Sequence, residues 1–86
     1  MAYQLAYAPG ILRSLQRLPA SLQRRILERL EGLKTNPRPH GSIKLAGEDA
    51  YRIRVGDYRI IYAIQDDRLI VLVIDVGHRK EIYRRR

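Results

Sequence analysis

The stretch from Tyr51 to Tyr62, YRIRVGDYRIIY, decides how this chain folds. Successive strand residues point to opposite sides of a sheet, so Tyr51, Ile53 and Val55 send apolar side chains one way and Arg52 and Arg54 the other. Gly56-Asp57 supplies the positive φ angles of a two-residue hairpin turn, and β-branched and aromatic residues flank it on both sides. A turn of that length sets Val55 against Tyr58 and Arg54 against Arg59, with Cβ atoms about 5 Å apart. Like charges directly opposite on neighbouring strands destabilise a sheet, and they are easier to understand if an anion sits between them. Arg52, Arg54 and Arg59 therefore read as an anion site, with a plain solvated strand face as the alternative. The single acid of the hairpin, Asp57, does little to offset them.

On the C-terminal side, Gln65-Asp66-Asp67-Arg68 makes a turn. Leu69 to Val76 follows as an apolar, β-branched strand interrupted only by Asp75, a composition expected of a strand buried on both faces. The character then changes to Gly77, His78, Arg79, Lys80, Glu81, Ile82, Tyr83 and three arginines. Gly77 permits a sharp bend that would swing His78, Arg79 and Tyr83 toward the arginine face, and one helical turn would put Arg79 and Tyr83 on the same side. A tyrosine beside arginines suits base stacking; a frayed basic terminus is the alternative, and it fits Arg84 to Arg86 best.

On the N-terminal side, Tyr3 to Tyr7 alternates as a short strand. Pro9 suits a first helical turn, and Ile11, Leu12, Leu15 and Leu18 share one helical face until Pro19. From Ala20 to Thr35, Leu22, Ile26, Leu30 and Leu33, supported by Leu27, form a continuous apolar stripe that ends at Asn36-Pro37. Pro37 to Ala50 has the composition of a loop, with Ile43 and Leu45 expected in the core and His40 on the surface. The predicted fold is α+β: strand, helix, helix, then a three-strand meander, with both helices on one face of a small, mainly antiparallel sheet. Residues 1–86 read as a single domain.

A formal charge of +8 on 86 residues implies an anionic partner: nucleic acid, a membrane surface or an acidic protein. No apolar run is long enough to span a bilayer and no signal-peptide pattern opens the chain, so it reads as soluble and cytoplasmic. The absence of cysteine excludes thiolate nucleophiles and cysteine metal ligands. His40 and His78 are too few and too far apart in sequence to suggest zinc, so no metal or other cofactor is expected.

The hairpin YRIRVGDYRIIY, the apolar strand after it and the C-terminal GHRKEIY, all following two helices and an IKLAG-like loop, together resemble the RelE/ParE superfamily of bacterial and archaeal toxins. The resemblance covers Tyr3 to Tyr83. It implies a toxin neutralised by a cognate antitoxin, and RelE-type members enter the ribosomal A site and cut mRNA without a metal. In that reaction the 2′-hydroxyl of the mRNA attacks the adjacent phosphate and leaves a 2′,3′-cyclic phosphate and a free 5′-hydroxyl. Carried over by position, the family's hairpin cations fall on Arg52, Arg54 and Arg59, and its C-terminal arginine and tyrosine on Arg79 and Tyr83. Arg54 and Arg59 would hold the scissile phosphate, Arg52 a flanking one, and Arg79 would stabilise the leaving 5′-oxygen. Lys80 joins Arg52, Arg54 and Arg59 as an RNA-binding cation. Tyr83 would stack on a base or accept the 2′-hydroxyl proton, its phenolate favoured by surrounding cations. The best-known RelE proteins carry lysine where this chain has Arg52 and Arg54, and arginine is a poor proton acceptor. That makes His78, with an ordinary pKa of about 6.5, a candidate acid or base by chemistry alone. Two other functions compete: a ParE-like inhibitor of DNA gyrase that cuts nothing, and a plain nucleic-acid-binding domain.

Overall fold

A computed structural model of the chain describes residues 2–45, 47 and 49–78. In chain order the elements are β1 (Gln4–Tyr7), α1 (Ile11–Gln16), α2 (Ala20–Thr35), β2 (Ile43–Lys44), β3 (Ala50–Val55), β4 (Tyr58–Gln65) and β5 (Ile70–His78). The strands form one sheet in the order β1-β5-β4-β3-β2, with β1 parallel to β5 and the other pairs antiparallel. The expected α+β arrangement is thus present with one strand more than the sequence suggested. No helix among the described residues is long and apolar enough to cross a membrane.

The helices form where the prolines allow. Pro19, at φ −54 and ψ 145, precedes the first turn of α2. Its missing N–H costs nothing there, because the first N–H groups of a helix have no partner within it. At the other end Asn36 is extended, as the residue before a proline must be. Ile26, Leu30 and Leu33 of α2 are at most 1% exposed and join Ile11 and Leu15 of α1 over Ile53, Val55, Ile60, Tyr62, Val71, Val73 and Val76 of the sheet. By strand alternation those sheet residues share one face, so both helices cover the same side. Leu12 and Leu27, expected on the apolar stripes, are 52% and 42% exposed, because the sheet meets each helix along a narrower line than the sequence pattern.

β5 departs from the expected strand in two ways. Leu69 belongs to the preceding turn, at φ 54, and the strand runs on to His78. Between β4 and β5 the register also slips: Ile61 faces Asp75 while Tyr62 faces Val73, leaving Ile74 as the extra residue of a β-bulge. Val71 and Val73 before the bulge and Val76 after it therefore all reach the helix-covered face. Leu72, Ile74 and Asp75 are only half-buried, so the strand is not equally covered on both sides. Ile74 instead packs with Leu45, Ala50 and Ile61 in a second, small cluster. Leu45 is thus only partly buried, against this small cluster and not in the main core. Ile43, also expected in the core, lies 49% exposed on the two-residue edge strand β2, opposite Arg52.

At the end of the sheet far from the hairpin turn, Arg38 donates to both Asp66 carboxylate oxygens, at 2.9 and 3.2 Å. Its Nε donates to the Tyr51 hydroxyl at 3.1 Å, and the guanidinium lies 5.3 Å from the Tyr51 ring centre. Tyr3 adds a 2.7 Å hydrogen bond to Asp66. This exposed clasp joins the start of the chain, the loop after α2, β3 and the β4–β5 turn. Hydrogen bonds from Arg38 and then from Tyr3 hold the Asp66 carboxyl below its ordinary pKa. A depressed carboxylate pKa contributes stability that is present above the ordinary value, about 4, and is lost as pH falls through the lower folded value. Thermal melts across that range should show Tm falling more steeply with acidification in the wild type than in Asp66→Asn.

Candidate nucleic-acid interface

The β3–β4 hairpin has the register the sequence demands. Gly56 takes φ 59, a left-handed angle that suits glycine, and the two-residue turn places Val55 opposite Tyr58 and Arg54 opposite Arg59. Arg52 lies opposite Ile61. Since Ile53 and Ile60 point into the helix-covered core, Arg52, Arg54 and Arg59 all belong to the face opposite the helices. Arg54 is exposed, Arg52 half-buried, and Arg59 only 7% exposed.

Arg59 stands in a row across three strands, between Arg54 on β3 and Gly77 on β5. The glycine puts no side chain on that row. Asp75, brought to the arginine face by the bulge, is opposite Ile61, and its Oδ1 accepts the N–H of Val76 at 2.9 Å. Among the described residues, three guanidinium groups thus share a face with one carboxylate, at low local dielectric around the buried Arg59. Planar guanidinium forks in that setting suit the oxygens of a phosphodiester and can offset charge that grows on them.

The sequence-predicted bend at Gly77 is absent. β5 continues through Gly77, and His78 pairs with Tyr58. That register sets His78 on the face of Tyr58, Ile60 and Tyr62, with its ring edge-on to Tyr58 at 5.8 Å. His78 therefore does not join the row of Arg54 and Arg59. Arg79, Lys80 and Tyr83 lie outside the described residues.

Beside the arginine face the structure adds two residues that carried no role in the sequence. β2 pairs with β3 only at Tyr51 and Arg52, so the β3 edge is open at Arg54 and Val55. α2 runs alongside, and a groove of about 320 Å³ forms between them, lined by Arg25, Glu28, Arg29, Arg54, Val55 and Gly56. A Cβ at Gly56 would stand 3.8 Å from the Arg25 guanidinium, which lies over the hairpin turn. The sequence held a signal for this pair: Arg25 and Arg29 are four residues apart on one helix, where like charges repel.

Residues 5–83 match the family described as the ParE toxin of type II toxin–antitoxin system, parDE. An Escherichia coli protein named mRNA interferase toxin RelE is 31% identical over an alignment that covers 96% of this chain and 92% of the relative. The fold is similar to that in the crystal structure of an archaeal RelE–RelB complex from Pyrococcus horikoshii, with a TM-score of 0.79 at 29% identity over 92% of this chain and 97% of that one. It is also similar to that in the intact E. coli RelBE toxin–antitoxin complex, with a TM-score of 0.80 at 29% identity over 90% and 96% of the two chains.

Proposed function

This chain belongs to the ParE toxin family of type II toxin–antitoxin systems, within the RelE/ParE superfamily, and we propose that it acts as a RelE-type, ribosome-dependent mRNA endonuclease. The observation that carries the reading is the placement of Arg54 directly opposite Arg59 on the sheet face away from the helices. Two guanidinium groups at adjacent strand positions repel each other, and a phosphate between them turns that repulsion into attraction.

In the proposed reaction the 2′-hydroxyl oxygen of the mRNA attacks the adjacent phosphorus. The bond from phosphorus to that oxygen forms, the bond to the 5′-oxygen breaks, and a 2′,3′-cyclic phosphate and a 5′-hydroxyl remain. Arg54 and Arg59 hold the non-bridging oxygens and stabilise the charge they gain. Arg52 and Lys80 hold the flanking backbone. Arg79 stabilises the departing 5′-oxygen, and Tyr83 stacks on a base or takes the 2′-hydroxyl proton, both assigned from the resemblance of GHRKEIY to the family. With its ring against Tyr58, His78 is not assigned a proton-transfer role. The natural partner is a cognate antitoxin, since both solved relatives are toxin–antitoxin complexes. An acidic or helical antitoxin segment lying on the cationic face would neutralise it by covering the arginines.

A second reading has one observation behind it: the matching family is described by the name ParE, and a ParE-like resemblance implies inhibition of DNA gyrase without cleavage. Parallel assays separate the two. The purified chain should stop translation in a reconstituted system at concentrations that leave gyrase supercoiling unchanged. Inhibition of gyrase with translation intact would replace the nuclease reading with the ParE-like one.

A further inference from the structure

Arg25 and Arg29 stand on one side of α2, and Arg54 faces them across the open edge of β3. Lys34 pairs with Glu31 and Arg38 with Asp66, and neither of these pairs includes Arg25, Arg29 or Arg54. Among the described residues lining the groove, Glu28 is the one acid against three guanidinium groups. Arg25 and Arg29 at helical spacing i, i+4 repel, as do Arg54 and Arg59 across the hairpin, and Arg54 belongs to both sets. Among the described residues Val55 is the groove's only large apolar one, so this groove offers little of the apolar surface that seats the anchors of a protein partner.

We propose that the groove between α2 and the open edge of β3, with Arg25, Arg29 and Arg54, is a second phosphate site that continues the path of a single-stranded RNA backbone beyond the Arg54–Arg59 row. Arg54 couples the two sites, and α2 serves as one wall of the RNA path. The ligand class rests on the RNA-cleaving reading, but occupancy of the groove requires no cleavage. Glu28, placed among the guanidiniums, weakens the site by repelling the same phosphates.

The test is the salt dependence of binding between the full chain and a short 2′-O-methyl RNA oligonucleotide, which lacks the attacking hydroxyl and so cannot be cut. Each phosphate neutralised on a single strand contributes a slope of about −0.7 in log K against log salt concentration, so Arg25→Ala/Arg29→Ala should make the slope shallower by about 1.4. The same variant should bind roughly tenfold or more weakly at low salt. Arg25→Lys/Arg29→Lys should keep the slope, and Glu28→Gln should tighten binding severalfold. Alanine is the best helix former, which favours α2 staying folded, and the lysine variant controls for charge. An unchanged slope in the alanine variant overturns the proposal, and so does loss of antitoxin affinity with the RNA slope intact, which would assign the groove to an acidic peptide. A shallower slope in the variant of a chain that cuts no mRNA would uphold the groove and remove the nuclease reading.

Discussion

Arg54→Ala should lower single-turnover cleavage of ribosome-bound mRNA by about 10²- to 10³-fold, the usual effect of removing one donor aimed at charge that develops in a transition state. Arg54 is exposed and sits opposite Arg59, so its loss removes repulsion within the hairpin rather than packing. Thermal stability should therefore stay the same or rise slightly while activity collapses, a combination that separates a functional cation from a structural one. Arg54→Lys keeps the charge but loses the planar fork, and its activity should fall between wild type and alanine. Rapid-quench measurement of the three proteins on one programmed ribosome preparation, beside their melting curves, checks both halves. Equal cleavage rates in wild type and Arg54→Ala would show that the residue belongs to a solvated strand face.

Tyr62→Ala should destabilise the fold by ~3–5 kcal/mol, the range for emptying an aromatic site in a core. Tyr62 is 0% exposed, packs among the residues of both helices and the sheet, and stacks on Tyr51 with ring centres 6.0 Å apart. Its hydroxyl donates to the Pro37 carbonyl at 2.7 Å, tying the end of α2 to the middle of β4. A loss of that size is a large part of the ~5–15 kcal/mol that holds a typical domain folded. Tyr62→Phe keeps the ring and leaves the Pro37 carbonyl without this donor, so it should cost ~1–3 kcal/mol.

The same residue sets an alkaline limit. Burial pushes the Tyr62 phenol up to about 12. A raised pKa contributes stability that is full below the unfolded value, about 10, and is lost as pH rises through the folded one. Urea unfolding between those limits should show stability falling with pH in the wild type and a flatter profile in Tyr62→Phe.

The hairpin was legible because three local signals agree: alternation, turn chemistry and β-branched flanks all place Arg54 opposite Arg59. α2 was legible because proline stands at its start and just beyond its end, and its leucine stripe repeats at helical spacing. β2 was hidden, since two residues, Ile43 and Lys44, carry no period and form a strand only because β3 offers an edge. The face of His78 was hidden for a different reason. Counting in twos from Val71 and Val73 puts His78 on the arginine side, and the extra residue at Ile74 reverses that parity for everything after it. A bulge depends on how two strands pair, which neither strand's sequence states alone. The groove was half-visible: Arg25 and Arg29 could be paired by spacing, but only the packing of α2 on the sheet sets them beside Arg54.

The reaction proposed for this toxin is mRNA cleavage by the substrate's own 2′-hydroxyl under arginine control. The most direct test maps the ends of a defined mRNA after incubation of the purified chain with programmed ribosomes, for wild type and Arg79→Ala. That reaction predicts A-site cuts with 2′,3′-cyclic phosphate and 5′-hydroxyl ends, lost in the variant. Intact mRNA with folded wild-type protein, or ends carrying a 5′-phosphate, would contradict it.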